Sequence, residues 1–218
     1  MMKMKALHIN KSIIFTPLMV VFFLLSCGEN NRATQSTVPT PTVIYTPGEV
    51  VSDSQEFIQY RVGNTPVIIT VPHDGTLTPS SMSDRTGDVT RALNTRKVAE
   101  QFAVFFNSNS NGLFPHIIYN NISRSKLDPD ANLMDAAQNN SYAALSYSTY
   151  HSYLQTAIDS VEAHFDVGLL LNLVEHDNAT QQFELGYLLS ENDLNLSDSE
   201  LNNDYSGFSS IDQLSSVS

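Results

Sequence analysis

The apolar positions of this chain fall into short runs and into longer periodic stretches, and each kind predicts a different element. Short runs rich in β-branched and aromatic residues, bounded by turn residues, are typical of strands. The turn sequence GNTP follows the first run and predicts that the first two strands pair as a hairpin. The predicted strands cover residues 56–62, 67–71, 114–120, 167–174 and 184–190.

Two longer stretches repeat their apolar residues at three- and four-residue steps, the period of an amphipathic helix. The first covers residues 88–107 and the second residues 142–165. Strands that alternate with long helices are typical of an α/β protein, so we expect a three-layer sandwich with a mixed, mostly parallel sheet. In such sheets, ligands bind beyond the carboxyl ends of the strands. The residues that follow each predicted strand are therefore the first candidates for function.

The first 26 residues have a pattern of their own. A lysine-rich start precedes an apolar run at residues 13–25, which is too short for a comfortable membrane span and typical of a secretory leader. The run ends in LLSC, in which Cys27 is the only cysteine of the chain. This ending resembles the lipobox of bacterial lipoproteins, whose cysteine becomes the acylated first residue. We therefore expect a lipoprotein signal peptide at residues 1–26 and a lipid anchor on Cys27. That anchor implies the bacterial cell envelope, at the periplasmic face of the outer membrane. A plain secretory leader is the alternative.

The remaining chain divides by composition into three parts. Residues 27–50 are polar and rich in Thr, Asn and Pro, which indicates a flexible tether. Residues 51–190 form the predicted globular domain, and an acidic segment rich in Ser and Asn follows at residues 191–218. Without the leader, 8 basic and 23 acidic residues remain, a net charge of −15. This excess of acid argues against nucleic acid as a partner, because phosphate contacts require clusters of Lys and Arg.

Several side chains able to bind a metal follow the predicted strands. A hydrolytic metal site needs about three nitrogen or oxygen ligands and an open position for water. Spacing alone does not establish such a site, because acidic residues are common in loops. The histidines inside predicted elements, His116, His151 and His164, are expected to be structural or exposed. The candidate ligand types are His73, Asp74, Asp88, Glu175, His176 and Asp177.

Five segments, in the same order along the chain, resemble motifs of the N-formylglutamate amidohydrolase family. The resemblance implies a fold similar to that of the zinc carboxypeptidases. It also implies hydrolysis of the amide bond of small N-acylated acidic amino acids by metal-activated water. The segments are PVIITVPHDGTLTP (66–79), DRTGDVT (84–90), NISRSKLDPDANLMDAA (121–137), YHSYLQTAIDSV (150–161) and GLLLNLVEHDNATQQFELGYLLS (168–190).

Carried over by position, the resemblance implies that His73, Asp88 and His176 bind a metal, zinc. It places Arg124 and Asp128 in the substrate site. A guanidinium suits the carboxylate of an N-acyl amino acid because its fork binds both oxygens. We expect Arg124 and Asp128 to form a pair that faces the same cleft as His73.

The chain departs from the family pattern at several positions. Val174 stands where a metal-binding histidine is expected, Asn172 where an aspartate is expected, and Ala131 where an arginine is expected. The family's C-terminal portion, with its candidate general base, has no counterpart. We therefore expect zinc to bind loosely and amidase activity to be low or absent. The alternative is a non-catalytic or truncated family member that serves as a binding or structural envelope lipoprotein.

Overall fold

The structure, a computed structural model, describes residues 2–8, 45–110, 112–175, 185–186, 189–205, 207 and 209. The strands are β1 (Met2–His8), β2 (Val50–Ser52), β3 (Ile58–Arg61), β4 (Val67–Val71), β5 (His116–Asn120), β6 (Val167–Leu173) and β7 (Leu185–Gly186). The main helices are α1 (Thr95–Ser110), α2 (Leu133–Ala137) and α3 (Ser141–His164). Two short helices, α4 (Glu191–Leu194) and α5 (Asp198–Glu200), and a π turn at Leu201–Tyr205 follow in the acidic segment.

The strands form one mixed sheet in the order β2-β3-β5-β4-β6-β1-β7. Strand β4 pairs in parallel with β5 on one side and with β6 on the other. Strands β2 and β3 continue the sheet beyond β5 in antiparallel pairing. The prediction of an α/β fold with a mixed sheet is therefore confirmed, and the core of that sheet, β5-β4-β6, is parallel.

The predicted hairpin of β3 and β4 is wrong, because β5 lies between them. Ile118 of β5 pairs with Tyr60 of β3 in antiparallel register and with Thr70 of β4 in parallel register. All five residues of β5 are buried. The buried backbone N–H and C=O groups on both edges of β5 need hydrogen-bond partners, and β3 and β4 supply them.

A helix packs on each face of the sheet. The face that carries Ile69 and Leu171 packs against Ala99 of α1. Alternate residues point to the opposite face, where Tyr60 stacks on Tyr153 of α3 with ring centroids 5.7 Å apart. The helices thus cover both faces and leave the carboxyl edge of the parallel strands to the loops.

The observed bounds agree with the prediction for one long helix and differ from it for the other. Helix α3 matches the predicted stretch 142–165, and the Asn140 side chain caps it by accepting the Ala143 N–H. Helix α1 begins at Thr95, well after the predicted start at residue 88. Its start is set by the loop after β4, because Asp74 Oδ2 accepts the backbone N–H of Arg96 at 2.8 Å.

Strand β1 comes from the predicted leader. It pairs antiparallel with β6 along its whole length, from Met2 opposite Leu173 to His8 opposite Val167. The leader was expected to stand outside the fold, but in the uncleaved chain residues 2–8 join the sheet. Cleavage before Cys27 would remove this strand; that cleavage and the anchor stay predictions, since Cys27 lies outside the described residues. No helix in the described part of the chain is long and apolar enough to cross a bilayer.

Candidate functional site

The parallel core brings the candidate residues to one edge of the sheet. His73 follows β4, Arg124 and Asp128 follow β5, and Glu175 follows β6. Parallel strands end at the same edge, so these loops converge there. His176, the third expected metal ligand, lies outside the described residues.

His73 is buried, and its side chain is hydrogen-bonded to a carboxylate. Its Nε2 lies 2.7 Å from Oδ1 of Asp128, and the same oxygen accepts the backbone N–H of Asp130 at 3.1 Å. An ionised carboxylate can only accept hydrogen bonds, so Nε2 of His73 carries the hydrogen. In the neutral imidazole, the lone pair is then on Nδ1.

Two arginines lie at the other oxygen of Asp128. Oδ2 accepts from Arg124 Nε at 3.0 Å, and Arg85 Nη2 lies 3.8 Å away. Burial by itself raises the pKa of Asp128, but the hydrogen bonds and charges of His73 and Arg124 outweigh it and hold the pKa well below its usual range. Asp128 is therefore ionised at neutral pH and links a histidine to an arginine.

Arg124 joins this cluster to the loop that contains Asp88. Its Nη1 lies 2.5 Å from Asp88 Oδ2 and 3.3 Å from the carbonyl oxygen of Thr90. The Thr90 backbone N–H, together with Arg124, lowers the pKa of Asp88, although partial burial opposes the shift. The expected pairing of Arg124 with Asp128, beside His73, is confirmed; its substrate role stays a prediction. Asp88 is ion-paired with the arginine, and its side chain is 60% exposed.

Arg85 is a buried cation that the sequence analysis did not single out. Its side chain is 5% exposed. Nη1 donates to the Arg124 carbonyl oxygen at 2.7 Å, and Nε donates to the Asp135 carbonyl oxygen at 3.1 Å. Arg85 thereby fixes the backbone that presents Arg124. The sequence signal that could have identified Arg85 was its place in DRTGDVT, the segment that also contains Asp88, in a chain with few basic residues.

The PHDG sequence after β4 is explained by close packing against the loop after β5. The backbone N–H groups of Thr76 and Leu77 both donate to the Asn121 carbonyl oxygen at 2.9 Å. A Cβ on Gly75 would overlap the carbonyl oxygen of Ile122, so glycine is required there.

Asp74 of the same loop has a structural role. Its Oδ1 pairs with Arg91 Nη2 at 2.6 Å, and its Oδ2 accepts the Arg96 N–H at the start of α1. The side chain is 6% exposed. Of the His and Asp side chains in PHDG, His73 is therefore the one that hydrogen-bonds to Asp128.

Asn172 has a local role that an aspartate could not fill. Its Nδ2 donates to Asp130 Oδ2 at 2.8 Å, and its Oδ1 accepts from Thr70 Oγ1 at 2.9 Å. A carboxylate has no donor for the Asp130 oxygen and would repel it. Asp130 Oδ2 lies 3.9 Å from His73 Nε2, so the amide also holds a second acid near the histidine.

The described residues alone do not complete a metal site. Within them, no three His, Cys, Asp or Glu side chains are grouped so as to hold a metal ion. His73 uses Nε2 for Asp128, Asp88 is paired with Arg124, and Glu175 Oε2 accepts the Leu93 N–H at 2.7 Å. Strand β6 ends at Leu173, so the position of His176 does not follow from regular strand spacing.

A comparison with known proteins found no relative of this chain. No family model matches the chain, and neither a curated protein nor a solved structure matches it. The amidohydrolase resemblance therefore depends on the five sequence segments. What is established is an α/β fold whose mixed sheet has a parallel core and carries a buried histidine–aspartate–arginine cluster at its carboxyl edge.

Proposed function

We propose that this chain is an N-formylglutamate amidohydrolase-like protein that binds small N-acylated acidic amino acids at the carboxyl edge of its sheet. The observation that carries the proposal is the cluster of His73, Asp128 and Arg124. A buried ionised carboxylate there orients both an imidazole and a guanidinium. The resemblance implies hydrolysis of the amide bond as the reaction.

Arg124 is the residue that recognises the ligand carboxylate. Asp128 holds its Nε from the buried side, and Asp88 holds its Nη1 from the exposed side. An incoming carboxylate has the same charge and geometry as the Asp88 side chain. It would take the place of Asp88 on the guanidinium, while Asp128 keeps Arg124 in position.

His73 is the group of the cluster able to act near the acyl carbon. The Asp128 carboxylate fixes the ring through Nε2 and leaves Nδ1 as the proton acceptor or metal-binding nitrogen of the neutral imidazole. Metal-assisted hydrolysis needs further donors, and His176 is the residue expected to supply one from outside the described residues.

The proposal is tested with the purified full chain by calorimetric binding of N-formylglutamate. Arg124→Gln should weaken binding by roughly ten- to a hundredfold, since a hydrogen bond to a charged group contributes about 1.5–3 kcal/mol. Arg61→Gln is the matched control, because Arg61 pairs with Glu100 instead. Equal affinity of the wild type and Arg124→Gln would refute the proposed site.

A second candidate function is binding without hydrolysis. It is favoured by the contacts of His73 and Asp88, which are both engaged by neighbours in the cluster. Asp88→Asn separates the two functions. If Asp88 only competes for Arg124, the variant binds N-formylglutamate more tightly; if Asp88 is a metal ligand, the variant binds added zinc more weakly than the wild type.

The zinc content of the purified wild-type chain tests whether its metal site is complete. We expect zinc to be lost on dialysis and formate release to be low or absent. Stoichiometric zinc that survives a chelator, together with hydrolysis abolished in His73→Ala, would contradict that expectation and favour the active enzyme.

A further inference from the structure

The leader strand β1 covers one edge of β6, and β4 covers the other. On the β4 side, the Leu169 N–H donates to the Pro66 carbonyl oxygen at 2.7 Å. Backbone groups alternate between the two edges of a strand, so those of Leu170 and Asn172 point to β1, with which β6 pairs along its whole length. Removal of the leader would leave these N–H and C=O groups without their partners in the sheet, which costs free energy.

The strand that follows β6 in the sequence lies one place further out in the sheet. In the order β6-β1-β7, the leader separates β6 from β7. Neighbouring strands are ~4.8 Å apart, so β6 and β7 are roughly 9.6 Å apart in the uncleaved chain. Strands that are consecutive in sequence are usually neighbours in a sheet. The place that the leader occupies is therefore the one expected for β7.

The direction and register of β7 also suit pairing with β6. Strand β1 is antiparallel to β6 and parallel to β7, so β6 and β7 run antiparallel to each other. Antiparallel neighbours can be joined by a simple loop, and residues 174–184 join these two strands. Met2 lies opposite Leu173 on one side and opposite Leu185 on the other. A sideways shift of β7 by one strand would bring Leu185 opposite Leu173 without a change of register.

We propose that the leader holds the place of β7 in the uncleaved chain, and that β7 pairs directly with β6 once the leader is removed. In the register set by Met2, residues 185–190 lie opposite residues 168–173, which agrees with the strand predicted from the sequence at 184–190. The hydrogen-bond partners that β6 loses with β1 are thereby replaced. The inference rests on the predicted cleavage before Cys27 and is independent of the hydrolase proposal.

A disulfide between β6 and β7 reports this exchange of strands. A disulfide needs Cα atoms within about 7 Å of each other, and the separation of roughly 9.6 Å excludes it in the uncleaved chain. The full-length chain with Cys27→Ser, Leu173→Cys and Leu185→Cys carries a site for a sequence-specific protease in the predicted tether. The same folded sample is oxidised before and after cleavage, and the disulfide should form within the chain only afterwards. Ser52→Cys with Gln59→Cys is the matched control, because these residues lie opposite each other in β2 and β3 and should be cross-linked in both states.

Amide hydrogen exchange gives a second measurement, on a chain whose strands carry no substitution. After cleavage, the N–H groups of Leu170 and Asn172 should stay as protected as that of Leu171, which points to β4 and serves as the internal reference. Rapid exchange at Leu170 and Asn172, or at all three residues, would show that no segment of the chain replaces the leader and would overturn the inference.

The disulfide measurement can also overturn the inference in several ways. A disulfide that forms before cleavage would show that the leader does not separate the two strands. A leader that stays bound after cleavage, with no disulfide, would make it a permanent strand of the sheet. Release of the leader without any disulfide would show that β7 does not take its place, and a disulfide that links two chains would assign the edge of β6 to a second copy of the chain.

Discussion

The chain has a buried histidine just beyond the end of β4, His73, and another inside β5, His116. One donates its hydrogen bond to a side chain, and the other accepts its hydrogen bonds. His73 donates from Nε2 to the Asp128 carboxylate at 2.7 Å. His116 accepts at Nδ1, from the Gly63 N–H at 3.2 Å and from the Tyr60 hydroxyl at 2.7 Å. One ring is therefore matched to a negative charge, and the other to two neutral donors.

The difference appears in their electrostatics. Burial, and secondly the charge of His164, lowers the pKa of His116 to about 4. A protonated Nδ1 would also point a hydrogen at the Gly63 donor. His73 instead lies beside a carboxylate that stays ionised. A strand end reached by loops can gather charges of both signs, whereas the interior of a buried strand offers mainly apolar and neutral neighbours.

The largest expected effect comes from removing the charge that distinguishes the two sites. Asp128→Ala leaves His73 and the two arginines without their shared partner, and loss of a buried ionic partner costs about 3–5 kcal/mol. Urea unfolding of the full chain measures this loss. Asp88→Ala is the matched control, because it removes the exposed partner of Arg124 and should cost at most about 1 kcal/mol. Similar losses of stability in both variants would show that the buried contacts of Asp128 stabilise the fold no more than the exposed pair of Asp88 and Arg124.

The next effect concerns pH and belongs to His116. Its pKa is about 4 in the folded chain and ordinarily 6.5, so the unfolded state binds more protons between these values. Stability should therefore be full above pH 6.5 and fall by roughly 3 kcal/mol as the pH drops to about 4. In His116→Asn, which keeps an acceptor near Nδ1, this slope should disappear. An unchanged slope in that variant would assign the acid sensitivity to other groups.

The smallest effect tests the neutral donor. Tyr60→Phe removes the hydroxyl that bonds to His116 Nδ1 and keeps the ring, so it should cost about 1 kcal/mol. Thermal unfolding measures the change, with Tyr142→Phe as an exposed control expected to be neutral. A loss as large as that of Asp128→Ala would show that the Tyr60 hydroxyl stabilises the fold as much as the ionised Asp128 carboxylate does. That result would contradict the expected order of the two effects.

The sequence by itself placed most elements and the order of the candidate residues. The strands β4 and β6 and the helix α3 were predicted within a residue or so, because the period of their apolar positions is a local property. It also indicated that Arg124 and Asp128 lie together after one strand. Their contact requires only a turn of a few residues, which a short motif can specify.

Tertiary structure alone decided the rest of the fold and of the candidate site. The insertion of β5 between β3 and β4 depends on pairing across distant segments, which no local period encodes. The buried position of Arg85 and the bond between Asn172 and Asp130 depend on which loops meet at the edge of the sheet. Residue type and spacing limit what a segment can form, but the partners of a polar side chain are set by the groups that folding brings beside it, because leaving a buried polar group without a partner costs free energy.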